Sequence, residues 1–428
     1  MRQIGVFFGR IFASLAIRNY RLYFIGQAVS LSGTWMQLIA LGWLALQVTG
    51  SGSKLGLIVA TQFFPLLVFG VWGGVVADRF DKRKILLLTQ AALGILALCM
   101  SVLVYAGTMR TWMLFVFAFV WGLIRIFDNP TRQTFVSEMV DAKHLNNAVS
   151  LNSTVNNLAR AVGPSIGGIL IATAGIAFCF LFNAFTYVAV IWMLFLMKEK
   201  ELHRSPPIGT RSGQLRAGFR YVQSMPRIRG ILIMIAVIGT FAYEFQISLP
   251  IFAEQTFLSD VSAYAALMSA FGIGSVIGGL YAASRHTVAP HLFVIFGLLF
   301  GISIIGTALA PTLVSAIGGM ILVGLFSINM SSSANTMVQL ESVPEMRGRV
   351  MALWTMAITG STLLGGPLVG WIGEYVGARW GLAIGGIATI VAIVGGSFRL
   401  LKKDTSQEVP AEVQIELEEM NIANQKLQ

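Results

Sequence analysis

The chain has 428 residues, of which 56% are hydrophobic and only 11% are charged, and its formal net charge is +11. Soluble domains carry about 25% charged residues, so this composition excludes an ordinary soluble protein and indicates lipid as the solvent. The two cysteines and four histidines show no metal-ligand spacing, and the sequence lacks a P-loop, an H-E-x-x-H motif and a G-x-S-x-G motif. We therefore expect a membrane protein that is not an enzyme, with no catalytic residues, no cofactor and no metal.

Apolar runs long enough to cross the hydrocarbon core predict membrane-spanning helices, and twelve of them follow one another along the chain. In chain order the predicted spans cover about 19–41, 55–77, 85–106, 112–133, 148–172, 178–197, 228–251, 263–285, 291–310, 313–337, 350–374 and 380–401. The sequence thus predicts an all-α membrane protein with a first bundle over 1–197, a linker over 198–227, a second bundle over 228–403 and a tail over 404–428. A frayed helix around 411–425 is expected in the tail, without an assigned function.

The lysines and arginines are distributed unevenly between the predicted loops. With both termini in the cytoplasm, 25 of the 30 basic residues, Arg132 among them, lie on that side and three lie on the other. Cytoplasmic loops of membrane proteins carry an excess of Lys and Arg. This distribution predicts a multi-pass protein of the bacterial cytoplasmic membrane with both termini inside, and it explains the positive charge without a nucleic-acid partner.

The linker contains a short amphipathic pattern after Pro206-Pro207. Leu215, Phe219 and Val222 follow one another at helical spacing beside Arg216 and Arg220. Such a helix either lies on the inner leaflet of the membrane or forms part of a solvated loop.

An internal repeat relates the two bundles. The segments that begin at Glu138 and Glu341 share a polar link followed by a Gly-Pro pair and a further glycine. Gly163-Pro164 matches Gly366-Pro367, and Gly167 matches Gly370. Two homologous bundles of six spans imply pseudo-symmetry about an axis normal to the membrane and a central cavity between them.

These features resemble the major facilitator superfamily. Its signature between spans 2 and 3, G-x-L-A-D-R-x-G-R-K, is matched by Gly74, Ala77, Asp78, Arg79, Lys82 and Arg83. Its antiporter motif in span 5 is matched by Gly163, Pro164, Gly167 and Gly168. The segments RNYRLYFIGQAVSLSG and RGRVMALW are similar to the drug-efflux branch typified by enterobactin and macrolide exporters.

The resemblance implies that the charged loop latches an inner gate to the other bundle, with span 11 as the natural partner. Gly70 and Gly74 lie four residues apart, so a neighbouring helix can approach closely there, and Asp78 suits the positive N-terminus of an adjacent helix. A simple topology anchor is the alternative for the loop. For the antiporter motif, a helix kink that shapes the outer cavity competes with ordinary packing.

A few charged residues lie well inside the predicted spans, where each is a candidate functional group because a charge in lipid is costly. Glu244 is predicted to carry the coupling proton, since burial favours the protonated carboxyl; a solvated carboxylate near the outer interface is the alternative. Asp128 is a second coupling candidate and is three residues from Arg125, with which it forms either a cavity ion pair or a structural pair. Arg160 either attracts an anionic substrate or pairs with Asp128.

The predicted cavity is aromatic and mildly polar, which favours an amphipathic organic molecule over a sugar. Its candidate lining residues are Arg160, Asn156, Gln37, Tyr243, Gln246 and Arg125.

The sequence favours a monomeric secondary active transporter that exports an amphipathic drug or siderophore-like molecule by proton antiport, with the substrate, protons and membrane lipids as its partners. A lysolipid flippase, an uncoupled facilitator and a non-transporting membrane sensor are the alternatives.

Overall fold

The structure is a computed structural model, and it describes residues 12–203, 214–285 and 289–401. Within these ranges the chain is helical and contains no β-strand. The helices are α1 Arg18–Thr49, α2 Gly52–Arg79, α3 Lys82–Tyr105, α4 Thr111–Met139, α5 Ala142–Ala174, α6 Ile176–Leu196, α7 Gln214–Ser224, α8 Pro226–Ala242, α9 Phe245–Phe257, α10 Val261–Ser284, α11 Pro290–Ala308, α12 Leu313–Glu341, α13 Pro344–Thr355, α14 Thr362–Tyr375 and α15 Ala378–Leu401. The tail helix predicted around 411–425 lies outside the described residues.

These helices form the twelve predicted spans, and the predicted all-α membrane fold is confirmed. Spans 1 to 6 are α1 to α6, span 7 is α8 with α9, and spans 8, 9 and 10 are α10, α11 and α12. Span 11 is α13 and α14 joined by a π-helical turn at Met356–Gly360, and span 12 is α15. By length and composition, eleven of the spans could cross a membrane; the other is span 5, where Asn152, Asn156, Asn157 and Arg160 interrupt the apolar sequence.

Several spans extend well beyond their apolar cores. Span 1 continues to Thr49, where Gly50 adopts the left-handed conformation with φ 59°, and spans 4 and 5 contain 29 and 33 residues. At 1.5 Å per residue, the last two are about 44–50 Å long, compared with about 30 Å for the hydrocarbon core. The predicted ends were too short because polar residues continue the helices past the lipid.

The two bundles have equivalent internal packing. In the first, span 2 packs on span 4, span 3 on span 6, and span 1 on spans 5 and 6; in the second, span 8 packs on span 10, span 9 on span 12, and span 7 on spans 11 and 12. Each pair in the second bundle is the pair in the first shifted by six spans. This arrangement is the pseudo-symmetry that the internal repeat predicts.

The bundles contact each other through a second set of equivalent pairs. Span 2 packs on span 11, and span 5 packs on span 8. We call the end of the molecule with the loop between spans 2 and 3 and the helix α7 the basic end, and the other the opposite end. The close contacts of Gly52 and Gly168 across the bundles lie towards the opposite end.

The linker helix α7 docks on the second bundle. The backbone amide of Val343 donates a hydrogen bond to the Tyr221 hydroxyl at 3.2 Å, and a Cβ atom at Gly218 would lie 2.9 Å from Cβ of Arg349. Val222 is buried whereas Phe219 is 56% exposed, so these two members of the predicted apolar face do not share one environment. The prediction of a helix here agrees with the structure, but it missed the contact with span 11.

Candidate functional site

A polar cavity of about 390 Å³ lies among spans 1, 4 and 5. Its walls include Leu31 from span 1, Arg125 and Asn129 from span 4, and Asn152 and Asn156 from span 5. Arg125 and Asn156, two of the predicted cavity residues, therefore line one cavity.

Span 5 continues this polar wall towards the opposite end. Asn152, Asn156 and Arg160 are spaced four residues apart and lie on one side of the helix, each about 6 Å further along the axis. The Arg160 guanidinium lies over the Trp35 ring, with Cζ 4.9 Å from the ring centroid. Its Nε is buried and has no hydrogen-bond partner in the described part of the chain, and Tyr243 of span 7 is close enough to interact with the guanidinium electrostatically. Arg160 and Tyr243 thus approach each other from the two bundles, with Arg160 one helical turn beyond the cavity residue Asn156.

Asp128 is fully buried and is engaged inside the first bundle. Its carboxylate accepts from Arg132 at 2.7 Å, from the Thr89 hydroxyl at 3.0 Å and from Gln90 at 2.7 Å. Neither Arg125 nor Arg160 forms an ion pair with Asp128 within 4.0 Å among the described residues, so these two predicted pairings are wrong. The partner is Arg132, one helical turn further along span 4.

Arg125 instead lies over an aromatic ring. Its Cζ is 4.8 Å from the centroid of Trp121, which is four residues earlier in span 4. The ring face supports the guanidinium through a cation–π interaction.

Glu244 occupies the break in span 7, between α8 and α9. It is 3% exposed, its Oε1 has no hydrogen-bond partner among the described residues, and the Thr362 side chain of span 11 faces the carboxyl. A Cβ atom at Gly365 would lie 3.0 Å from Oε1. Because the side chain is buried, the alternative of a solvated carboxylate at the interface is wrong.

The remaining predicted cavity residues have different surroundings. Gln37 is buried and accepts a 2.6 Å hydrogen bond from Asn183, so its assignment to the cavity is wrong: it joins spans 1 and 6 inside the first bundle. The Tyr243 hydroxyl is 3.0 Å from the Ser327 hydroxyl of span 10. Gln246 is half-buried, and its carbonyl oxygen would lie 3.4 Å from a Cβ atom at Gly42 of span 1.

The charged loop between spans 2 and 3 bonds to its own bundle. Lys82 pairs with Glu138 at 2.5 Å, and Arg83 donates to the Leu194 carbonyl at 2.8 Å and pairs with Glu199. Arg79 is exposed, and the Asp78 side chain is outside the described part.

The glycines before this loop are not packed as expected. Gly74 has open space where a Cβ atom would lie, and at Gly70 the neighbouring atoms belong to Leu66 of the same helix. The close approach in this region occurs at Gly73, against Ile126 of span 4.

Glycines of the antiporter motif and of its repeat bring the bundles together at the opposite end. Gly163 and Gly167 face Trp35 and Met36 of span 1, and a Cβ atom at Gly168 would lie 2.5 Å from Cβ of Ala265 in span 8. In the repeat, Gly366 faces Gly56, and Gly370 faces Gly52. We call the contacts of Gly52 and Gly56 with Gly370 and Gly366, together with that of Gly168 with Ala265, the glycine seal. Pro164 lies within α5, and the glycines of the antiporter motif make close contacts with neighbouring helices.

Glu374, which the sequence did not single out, joins the bundles beside the glycine seal. One oxygen of its carboxylate accepts from the Ser51 hydroxyl and from the Ser53 backbone amide, both at 2.8 Å. The acid therefore caps the N-terminus of span 2 from span 11, where a negative charge is favoured by the helix dipole. A serine just before an apolar helix was visible in the sequence, but its distant partner was not.

Comparison with known proteins places this geometry in a family. The profile of the transmembrane secretion effector family, of the major facilitator type, matches residues 10–426. The chain is 24% identical over 373 residues to the staphyloferrin A transporter of Staphylococcus aureus (strain NCTC 8325 / PS 47), covering 86% of this chain and 93% of that protein. It is 25% identical over 392 residues to the enterobactin exporter of Escherichia coli O1:K1 / APEC, covering 88% and 92%.

Solved structures share the fold. A bacterial homologue of the human lysosomal transporter Spinster, in an inward-facing and unoccupied conformation, superposes with a TM-score of 0.69 at 14% identity over 90% of this chain and 96% of that chain. An inward-facing bacterial homologue of the iron transporter ferroportin gives 0.66 at 14% identity over 89% and 98%. This chain is a multi-pass membrane transporter and belongs to the transmembrane secretion effector family of the major facilitator superfamily.

Proposed function

We propose that the chain exports an amphipathic small molecule of siderophore-like or drug-like character across the bacterial cytoplasmic membrane by alternating access, coupled to proton antiport. One observation carries this proposal: the bundles are closely packed at the opposite end by the glycine seal, while the polar cavity lies among spans 1, 4 and 5. The staphyloferrin A and enterobactin transporters among its relatives support the siderophore-like class.

The basic end corresponds to the cytoplasm in this proposal. The excess of Lys and Arg in its loops supports that orientation. The cavity would then load from the cytoplasm in the conformation described here, and the glycine seal would close the path to the outside.

Closure at the basic end would use a second pair of glycines on span 2. Gly70 and Gly74 follow Gly52 and Gly56 by 18 residues, which is five helical turns, so both pairs lie on the same face of the helix. The first pair is packed against span 11, whereas Gly74 faces open space and so does Gly348 in α13. Exchange of one packed pair for the other would move access from one end to the other.

Glu244 would carry the proton. It lies beside Gly365 and faces Thr362, on the stretch of span 11 that also forms the glycine seal. Separation of span 11 from span 2 would give the carboxyl access to the outside, and this geometry supports coupling of proton uptake to opening.

The proposal is tested in everted membrane vesicles from cells that express the chain, because export from the cell becomes uptake into such vesicles. Staphyloferrin A, enterobactin and a macrolide are offered separately, with the vesicle interior made acidic relative to the medium. We expect at least one compound to accumulate and a protonophore to abolish the accumulation. Accumulation that persists in the presence of the protonophore would indicate a facilitator. Translocation of a labelled lysolipid, with no accumulation of the other compounds, would indicate a flippase.

A further inference from the structure

We infer that the cavity is selective for anions, and that its substrate carries a carboxylate or catecholate group on an apolar body, bound by Arg160 and Arg125. This inference deepens the proposed function and rests on it.

The charges along the cavity do not balance. Arg125, Arg132 and Arg160 lie on its spans 4 and 5, and the one carboxylate bonded among them, Asp128, is paired with Arg132. Asp128 also acts on Arg125 electrostatically, but neither Arg125 nor Arg160 has a carboxylate within 4.0 Å in the described ranges of the chain. Glu244 does not compensate them, since its carboxyl faces Thr362 and Gly365 of span 11.

An uncompensated guanidinium inside a membrane protein is energetically costly, so such residues usually mark a pathway for substrate or ions. Each guanidinium lies over a tryptophan ring, that of Trp121 for Arg125 and that of Trp35 for Arg160. A cation–π contact uses no N–H donor, so the N–H groups can still bind a ligand. A planar fork of N–H donors matches the paired oxygens of a carboxylate or a catecholate.

The two arginines are separated along the polar wall rather than adjacent. Arg125 borders the cavity with Asn152 and Asn156, and Arg160 is one helical turn beyond Asn156. Beyond the cavity, the Arg160 guanidinium lies over the Trp35 ring, and Tyr243 of the second bundle approaches the same guanidinium. A molecule with an acidic group and an aromatic or apolar body therefore fits this wall better than a neutral or cationic one.

The test uses three fluorescent probes with one dansyl body and different charge: dansylglycine, dansylglycinamide and dansylcadaverine. They are titrated into the purified chain in nanodiscs of neutral phospholipid, without any gradient. We expect the acid to bind roughly 10- to 100-fold more tightly than the amide, as a charge-assisted bond to Arg160 would give. Equal affinity for the three probes, or no binding of the acid, would overturn the inference.

Variants identify the residues. Arg160→Gln should lower the affinity for dansylglycine to that for dansylglycinamide and leave the affinity for dansylglycinamide unchanged. Arg125→Gln should also lower the affinity for dansylglycine. Arg110→Gln removes the same charge from an exposed loop and should match the wild type. If Arg160→Gln lowers the affinity for dansylglycine and for dansylglycinamide alike, the side chain only supports the fold of the cavity, and the inference fails. If that variant cannot be purified, the affinities of Arg160→Lys and Arg125→Gln for the same two probes decide.

The outcome is separable from that of the proposed function. An acid-selective site in a chain that transports none of the offered compounds in vesicles would refute export and leave the anion site standing. Proton-coupled export of a cationic macrolide by a chain without acid preference would refute the anion site and leave export standing.

Discussion

Glu244 is buried at a break in its span, and one of its carboxyl oxygens has no hydrogen-bond partner among the residues that the structure describes, which is an unusual position for a carboxyl that serves only packing. We predict that Glu244→Gln, which preserves the shape of the side chain, abolishes proton-driven export. Exchange of labelled for unlabelled substrate across vesicles should persist, since it needs no net proton transfer. The measurement compares pH-driven accumulation with this exchange in the same vesicles.

Glu254→Gln is the matched control for that experiment, because Glu254 lies further along span 7 and is exposed. It should transport as the wild type does. Unchanged pH-driven export by Glu244→Gln would remove Glu244 as the proton carrier.

Asp128 differs from Glu244 in that its carboxylate accepts hydrogen bonds from Arg132, Thr89 and Gln90. We predict that Asp128→Asn lowers the free energy of unfolding, since it leaves Arg132 without its buried carboxylate partner; loss of one member of a buried pair costs about 3–5 kcal/mol. The thermal unfolding temperature in detergent should fall, while the protein that remains folded should still couple export to protons. The double variant Asp128→Asn with Arg132→Gln should recover part of the loss, because no buried charge is then unpaired.

A wild-type unfolding temperature together with lost proton coupling in Asp128→Asn would instead support Asp128 as the coupling residue. This experiment separates the two roles between which the sequence could not decide.

At the residue scale, the sequence identified which charges are unusual but not their partners. Asp128 and Arg132 are four residues apart, a spacing that brings side chains together on a helix. That pair was overlooked because Arg132 was counted with the cytoplasmic loop, although span 4 continues to Met139. The Gln37–Asn183 bond joins side chains 146 positions apart, and no local pattern predicts such a contact.

Among the elements, span 2 is where the two proposed conformations differ most directly. We predict that Gly74→Leu prevents closure at the basic end, because the new side chain would fill the space into which span 11 must move. Substrate binding should persist while export is lost. Alkylation of a single cysteine introduced at Asn152, on the cavity wall, should show permanent access from the basic end.

Gly306→Leu is the control, since Gly306 in span 9 also has open space around it, and it should behave as the wild type. The same substitution at Gly56 should have the opposite effect on access, because a Cβ atom there overlaps the Gly366 carbonyl and would separate the glycine seal. Export at the wild-type rate by Gly74→Leu would contradict the proposed closure.

The elements themselves were largely predictable from sequence. Apolar length predicted the spans, and the repeated Gly-Pro segments predicted the equivalence of spans 5 and 11. The break of span 7 at Tyr243 and Glu244 and the π-helical turn in span 11 were not predicted, since hydropathy continues through both. The docking of α7 was also missed, because burial of Tyr221 and Val222 depends on span 11, which is far away in the sequence.

For the whole molecule, the balance between the two conformations depends on contacts that exist in only one of them. The glycine seal brings backbones together, and Glu374 adds hydrogen bonds from span 11 to the start of span 2. By contrast, the described bonds of Lys82 and Arg83 at the basic end remain inside the first bundle. In the proposed alternating-access cycle, the conformation open at the basic end would therefore be favoured by bonds at the other end of the molecule.

We predict that Glu374→Gln shifts the chain towards the conformation open at the opposite end. The amide can still accept from Ser53, but the negative charge at the N-terminus of span 2 is lost, and such a charge contributes about 0.3–1 kcal/mol at an exposed helix end. Glu374→Ala, which removes both hydrogen bonds, should shift the population further. The measurement is the distance distribution between spin labels at Thr108→Cys, in the loop between spans 3 and 4, and Val314→Cys, at the start of span 10, in a background without Cys99 and Cys179. Both sites lie at the opposite end, one in each bundle. A longer distance should become more populated in the order wild type, Glu374→Gln, Glu374→Ala. High salt should reduce the difference between the wild type and Glu374→Gln, which reflects the lost charge, and should leave the effect of the lost hydrogen bonds. Identical distributions in all three proteins would show that the glycine seal maintains the closed end without Glu374.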